Sequence, residues 1–160
     1  MNEGGREVEP LNAVASVDLE RYLGKWYEIA RYPNRFERKC DSDVTATYSK
    51  RADGKIEVVN ACREGNGRIK QSKGYAKVVD RRSRAKLKVT FFWPFFGDYW
   101  IVGLDQDYRW AVISEPKRRY LWILSRTPKL DEAVYRGILE RVRQLGFDTS
   151  RLVMPKQSPV

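Results

Sequence analysis

Hydrophobic and polar positions alternate with a period of two through most of the chain, in short runs separated by turn residues. That period places successive side chains on opposite faces of a strand. The first run, 24–33, sets Trp26, Glu28 and Ala30 on one face and stops at Pro33. The second, 44–50, alternates Val44, Ala46 and Tyr48 with Thr45, Thr47 and Ser49. Asp53-Gly54 turns the chain into a third run, 56–61, with Ile56, Val58 and Asn60 on one face. In the fourth, 69–80, small Ser72, Gly74 and Ala76 oppose Tyr75 and Lys77. In the fifth, 85–92, Leu87, Val89 and Phe91 oppose Lys86, Lys88 and Thr90. Runs at 98–104, 110–114 and 120–126 complete a set of eight, joined by tight turns. This rhythm predicts an all-β fold, an up-and-down barrel or a sandwich.

The period then changes. Val134, Ile138, Val142 and Leu145 recur at helical spacing over 131–145, behind acidic Asp131 and Glu132 and ahead of Gly146. This predicts one amphipathic helix packed on the sheet. Residues 17–23 read as a short helical turn with Asp18 as its cap. Residues 1–15 read as a flexible arm, 16–155 as a single domain and 156–160 as a loose tail, with Leu152 and Val153 adding a short last strand. The charged loop 34–42 holds one conspicuous apolar residue, Phe36.

Composition narrows the chemistry. At 42% hydrophobic residues over 160, the chain can bury a core. A net charge of +10 favours anionic partners, whether lipid headgroups, acidic ligands or nucleic acid, without choosing among them. There is no histidine, which argues against a catalytic triad or a zinc site. No metal or other cofactor is expected. Cys40 and Cys62 lie at the same open end of the second hairpin. Simple pairing sets Cys62 nearer Val44 than Cys40, so a disulfide requires the preceding loop to fold back; two buried thiols are the alternative. A disulfide implies an oxidising compartment.

Gly24-Lys25-Trp26 puts a plug-sized indole two residues behind a glycine that lets the chain turn tightly. Arg126, at the end of the last strand, is its expected partner, since a guanidinium over an indole is a favourable contact. Gly24, Trp26 and Arg126 are therefore expected to close one end of a barrel.

The run from Gly24 to Arg31, followed by Asn34-Arg35-Phe36-Glu37-Arg38, Val44-Thr45-Ala46-Thr47-Tyr48-Ser49 and Tyr120-Leu121-Trp122-Ile123-Leu124-Ser125-Arg126-Thr127-Pro128, resembles the lipocalin family. The bacterial outer-membrane type, similar to apolipoprotein D, fits best, over about 18–154. The resemblance implies an eight-stranded antiparallel barrel with a flanking helix, one closed end and one open mouth. It implies a small hydrophobic ligand carried inside and a place in the cell envelope, at the outer membrane or in the periplasm. Bacterial relatives carry an N-terminal lipidated cysteine. No cysteine precedes Trp26, so a signal and anchor segment is expected to be missing from this sequence.

Strand parity, which the resemblance supports, names the expected lining: Ala30, Ala46, Tyr48, Val58, Asn60, Val89, Phe91, Tyr99, Ile101, Ala111, Ile113, Tyr120 and Trp122. Ser72, Gly74 and Ala76 are expected to leave room, and Phe36 to act as a lid. Glu28 shares the parity of Trp26 and needs a mate, which the pattern does not identify. Exposed aromatics in 93–97, with the basic runs 81–84 and 117–119, suggest contact with an anionic membrane surface. The expected function is carriage of a fatty acid or lysophospholipid. The alternatives are an enzyme acting on a lipophilic substrate and an interaction protein with a filled barrel. Nucleic-acid binding is not expected, because the aromatics alternate inward instead of lining a basic groove.

Overall fold

The computed structural model describes residues 9–159. Its elements in order are α1 (Leu19–Tyr22), β1 (Gly24–Arg31), β2 (Cys40–Lys50), β3 (Ile56–Glu64), β4 (Ile69–Val78), β5 (Lys86–Phe92), β6 (Phe95–Leu104), β7 (Trp110–Ser114), β8 (Leu121–Ser125) and α2 (Glu132–Gln144). The strands pair antiparallel in chain order, and β8 returns to β1, which closes the barrel. Sequence alternation found all eight strands. It placed β2 and β6 three or four residues short at their open ends, where tight pairing continues through bulges.

Antiparallel order sorts the connections between two ends. Residues 32–39, 65–68, 93–94 and 115–120 lie at one; α1 with 51–55, 79–85 and 105–109 lies at the other. Two apolar layers follow from the pleat. Inward residues such as Trp26, Tyr48, Val58, Leu87, Ile101, Ile113 and Leu124 fill the barrel. Outward Ile29, Val102, Val112, Leu121 and Ile123 meet Ile138 and Val142 of α2. Burying each of those helix side chains is worth about 1.5–3 kcal/mol. Asp131 caps α2 by accepting from the Ala133 and Val134 amides. Val134, counted in the apolar stripe, lies at the exposed margin instead.

Both termini differ from expectation. Within the expected arm, residues 1–8 lie outside the described residues, but 9–15 are docked. Leu11 is buried against the outer layer, and the Val14 amide donates to the Ile101 carbonyl at 2.9 Å. The tail is also tied down. β1 and β2 pair only from Gly24↔Tyr48 to Tyr27↔Thr45, and beyond that the C-terminal segment fills the seam. Val153 bridges Arg31, Lys156 bridges Ser42, and the Gln157 side-chain amide donates to the carbonyls of Glu28 and Val44. Splayed strand edges leave backbone groups that need partners, and the tail supplies them.

Cys40 and Cys62 are joined, with Cα atoms 5.6 Å apart. The register of β2 against β3 shifts twice between Cys40 and Thr45. Those bulges provide the fold-back that simple hairpin pairing lacks.

Candidate ligand site: a closed floor and a guarded mouth

At the floor, Trp26 is fully buried and Arg126 lies over it, with the guanidinium carbon 3.7 Å from the ring centroid. Arg126 also donates to the carbonyls of Arg21 at 2.7 Å, Lys25 at 3.2 Å and Tyr108 at 3.3 Å. It thereby ties α1, β1 and the β6–β7 turn into one cap. Gly24 has φ +105°, and a Cβ there would stand 3.2 Å from Arg126 Nη1. Both facts favour glycine at this position. The Trp26 indole donates to the Tyr22 carbonyl at 2.8 Å.

Above Trp26 stands a group of tyrosines that strand parity revealed only in part. The Tyr99 hydroxyl lies 2.6 Å from that of Tyr22 and 2.8 Å from that of Tyr48. Burial raises the pKa of all three, Tyr48 to about 12, so they stay neutral. Tyr22 escaped the strand pattern because it comes from α1; its signal is the four-residue step to Trp26. Tyr22, Tyr48, Tyr99, Leu19, Ile56, Val58, Ala76, Leu87 and Val89 enclose a cavity of about 10 Å³. That is room for about one water.

The expected lining residues Ala46, Tyr48, Val58, Val89, Phe91, Tyr99, Ile101, Ala111, Ile113 and Trp122 all belong to the inner layer. Ala30 does not. The register of β1 against β8 shifts between Glu28 and Ala30, so Ala30 turns outward with Ile123, beneath the helix layer. The same bulge brings Arg31 to the inside, opposite Trp122. Asn60 faces inward by register but is exposed, because its cross-strand neighbours Ala46 and Ser72 are too small to cover it. Gly74 leaves no room for a ligand. A Cβ there would meet the Thr90 carbonyl at 2.1 Å and the Phe91 ring at 2.8 Å, so the β5 backbone and Phe91 already take that space.

The mouth is guarded by charge as well as by rings. Glu28, buried in the wall, finds its mate in Arg31, with Nη1 3.0 Å from Oε2. Arg31 Nε also lies 3.4 Å from Glu37 Oε2. The other Glu37 oxygen accepts from Trp122 Nε1 at 2.7 Å and Asn34 Nδ2 at 3.3 Å. Burial, and then the nearby Glu37 carboxylate, push the Glu28 carboxyl well above its ordinary range. Glu28 thus lies in an ion network on the mouth side of the tyrosines, with Arg31 as the mate that the sequence pattern did not identify. Glu37 has a local sequence signal: Asn34 caps its amide at the spacing of a helix start. Phe36 sits 5.9 Å from Tyr120, and Tyr120 stacks on Trp122 at 5.6 Å, so the residue expected as a lid and two of those expected as lining form one aromatic stack.

Around the rim, Phe36, Ile69, Phe92, Trp93 and Phe95 are exposed. Of the 93–97 aromatics, Trp93 and Phe95 are exposed, whereas Phe96 is half-buried edge-on against Tyr75 of β4, with centroids 5.8 Å apart. Of the two basic runs, 117–119 lies at the mouth and 81–84 at the floor. Among the described residues, no group of three acidic or cysteine side chains converges to hold a metal ion.

The lipocalin-like domain family matches residues 17–157. The chain is a lipocalin. Outer membrane lipoprotein Blc of Escherichia coli K12 is 45% identical over 148 residues, covering 92% of this chain and 83% of that protein. Temperature-induced lipocalin-1 of Arabidopsis thaliana is 41% identical over 160 residues, covering 95% and 86%. Apolipoprotein D of Macaca fascicularis is 35% identical over 148 residues, covering 88% and 77%. Insecticyanin from the tobacco hornworm superposes with a TM-score of 0.73 at 20% identity, covering 96% of this lipocalin and 91% of that chain. At that identity the likeness shows the fold alone. Membership indicates a binding protein for a small hydrophobic ligand.

Proposed function

We propose that this lipocalin carries an acyl lipid, a fatty acid or lysophospholipid, with its tail in the barrel, and collects it at an envelope membrane. The observation that carries the reading is the asymmetry of the barrel: one end is sealed by Trp26 and Arg126, and the other is ringed by exposed Phe36, Ile69, Phe92, Trp93 and Phe95. Exposed Arg35, Arg38, Lys39, Arg68, Lys117 and Arg119 occupy the connections at that same end. Aromatic rings among cations suit an anionic lipid surface. The envelope assignment draws on the likeness to outer membrane lipoprotein Blc. Maintenance of membrane lipid is the role that follows. Neutral tyrosine hydroxyls and alternating apolar side chains offer no nucleophile paired with a base, so carriage rather than catalysis is the proposal.

The interior cavity of about 10 Å³ is far below the roughly 300–1,000 Å³ of a ligand pocket. That void lies beside Leu19 and Tyr22 of α1, so a tail that reaches it requires the side chains around it to move. The same observation favours a second reading, in which the barrel is filled by its own side chains and acts through its surface. Native mass spectrometry of freshly purified protein, followed by extraction and lipid analysis, separates the two. A bound acyl lipid near unit occupancy, or saturable uptake of oleate after delipidation, supports carriage. A bare mass and a flat titration with both lipid classes overturn it in favour of the filled barrel.

A further inference from the structure

Arg31 and Trp122 are fixed in the wall, as cross-strand partners in β1 and β8. Their donors, the Arg31 Nε–H and the Trp122 indole N–H, converge on one carboxylate, that of Glu37. Glu37 does not belong to the wall. It comes from the short 3₁₀ turn Arg35–Glu37, whose neighbours Arg35, Phe36 and Arg38 are all exposed. A loop therefore delivers an anion into a donor pair that the barrel holds ready.

The fit is incomplete. Arg31 Nε and Glu37 Oε2 are both buried, yet neither completes a hydrogen bond across their 3.4 Å separation. A guanidinium binds an anion best when two donors meet two oxygens in one plane. Here Nη1 is turned to Glu28 and Nε is poorly met. The charge count also matters. One guanidinium already faces two carboxyl groups, and the Glu37 carboxylate alone matches its charge, so a further anion beside Glu37 would be repelled. An anion in place of Glu37 leaves the count unchanged.

We propose that Arg31 and Trp122 form a headgroup site for an anionic lipid and that Glu37 fills it as an internal stand-in. A carboxylate or phosphate headgroup displaces Glu37, and the β1–β2 loop with Phe36 then lifts from Tyr120 and opens the mouth. The assignment rests on the carrier reading above. It adds the headgroup chemistry and the device that guards the barrel.

The test titrates delipidated full chain with oleate, oleoyl lysophosphatidate and oleyl alcohol, read by tryptophan fluorescence, in wild type, Glu37→Gln and Arg31→Gln. Wild type should bind the two anionic probes about tenfold tighter than the alcohol. Glu37→Gln removes the competing charge but keeps an oxygen for the indole N–H. It should tighten the anionic probes about fivefold, and the alcohol with them, because every ligand must release the loop to enter. Arg31→Gln should abolish the preference for charge. An effect on oleate alone assigns a carboxylate headgroup, and an effect on lysophosphatidate alone assigns a phosphate. Arg31→Gln leaves Glu28 and Glu37 facing each other, so if it fails to fold, Glu37→Gln decides. The proposal is overturned if Glu37→Gln leaves anion affinity unchanged, or if folded Arg31→Gln weakens the alcohol as much as oleate. Those results leave carriage standing. Failure of every probe to bind wild type overturns carriage, and this proposal with it.

Discussion

The two ends of this barrel solve opposite problems with the same residue types. At the floor, one arginine lies on one tryptophan, and its donors end on backbone carbonyls. Among the described residues no carboxylate enters the arrangement, so none of them competes for the cation. At the mouth, one arginine is shared by Glu28 and Glu37, and a tryptophan donates to the second of these. The floor is a closed set of contacts supplied by three neighbouring elements. The mouth holds an excess of acceptors, one of them on a turn whose Arg35, Phe36 and Arg38 are exposed. A seal calls for the first arrangement and a gate for the second.

The largest break in the comparison is at the floor. Trp26→Ala empties a fully buried ring site and strips Arg126 of its platform. It should cost about 3–5 kcal/mol, measured by denaturant unfolding. The mouth has no single side chain of that weight. Its covalent tie is Cys40–Cys62, which spans 22 residues of sequence. Removing it by Cys40→Ala with Cys62→Ala, or by reductant, should cost about 3 kcal/mol through the freer unfolded chain.

How far each end could be read from sequence follows the same division. The floor lies in unbroken alternation: Gly24, Trp26 and Arg126 keep their parity to the strand ends, so register alone brings them together. The mouth lies past irregularities. One bulge between Glu28 and Ala30 turns Ala30 outward and Arg31 inward, and a single-residue shift reverses every later assignment on that strand. Without Arg31 inside, Glu28 has no visible mate and Glu37 no visible purpose. Gln157 carries no signal at all, since its role depends on β1 and β2 splaying beyond Tyr27. Gly74 is a different kind of miss. Small residues in the fourth strand looked like room, but the missing side chain lets the β5 backbone and Phe91 come close.

A pH series sharpens the comparison through Glu28, which is faced by Arg31, Glu37 and, more remotely, Tyr48. Burial and Glu37 raise its folded pKa above the unfolded value of about 4.3. Between those two values the folded chain holds a proton that the unfolded chain has lost. Stability therefore falls as pH rises through that window, by up to about 1.4 kcal/mol per unit. Below the window both states are protonated and the slope vanishes. Glu28→Gln should flatten this limb of the unfolding profile. The floor network contains no titrating carboxylate, so Trp26→Ala should leave the slope in place.

The smallest stability effect is expected at the mouth rim, where the functional effect should be large. Trp93 and Phe95 are 74% and 78% exposed, so their rings contribute little to the folded core. Trp93→Ser with Phe95→Ser should shift unfolding by no more than about 0.5 kcal/mol, as for surface substitutions generally. Transfer of those two rings to a lipid interface, however, is worth roughly 25 cal/mol for each Å² removed from water. Their loss should therefore weaken cosedimentation with anionic phosphatidylglycerol vesicles while the affinity for oleate in solution stays the same. A variant that keeps its vesicle binding would strip the rim of its membrane role. The contrast between the ends would then rest on the Arg31–Glu37 gate alone. A variant that loses vesicle binding and keeps oleate would separate docking from headgroup capture, and assign the first to the β5–β6 tip and the second to the interior of the mouth.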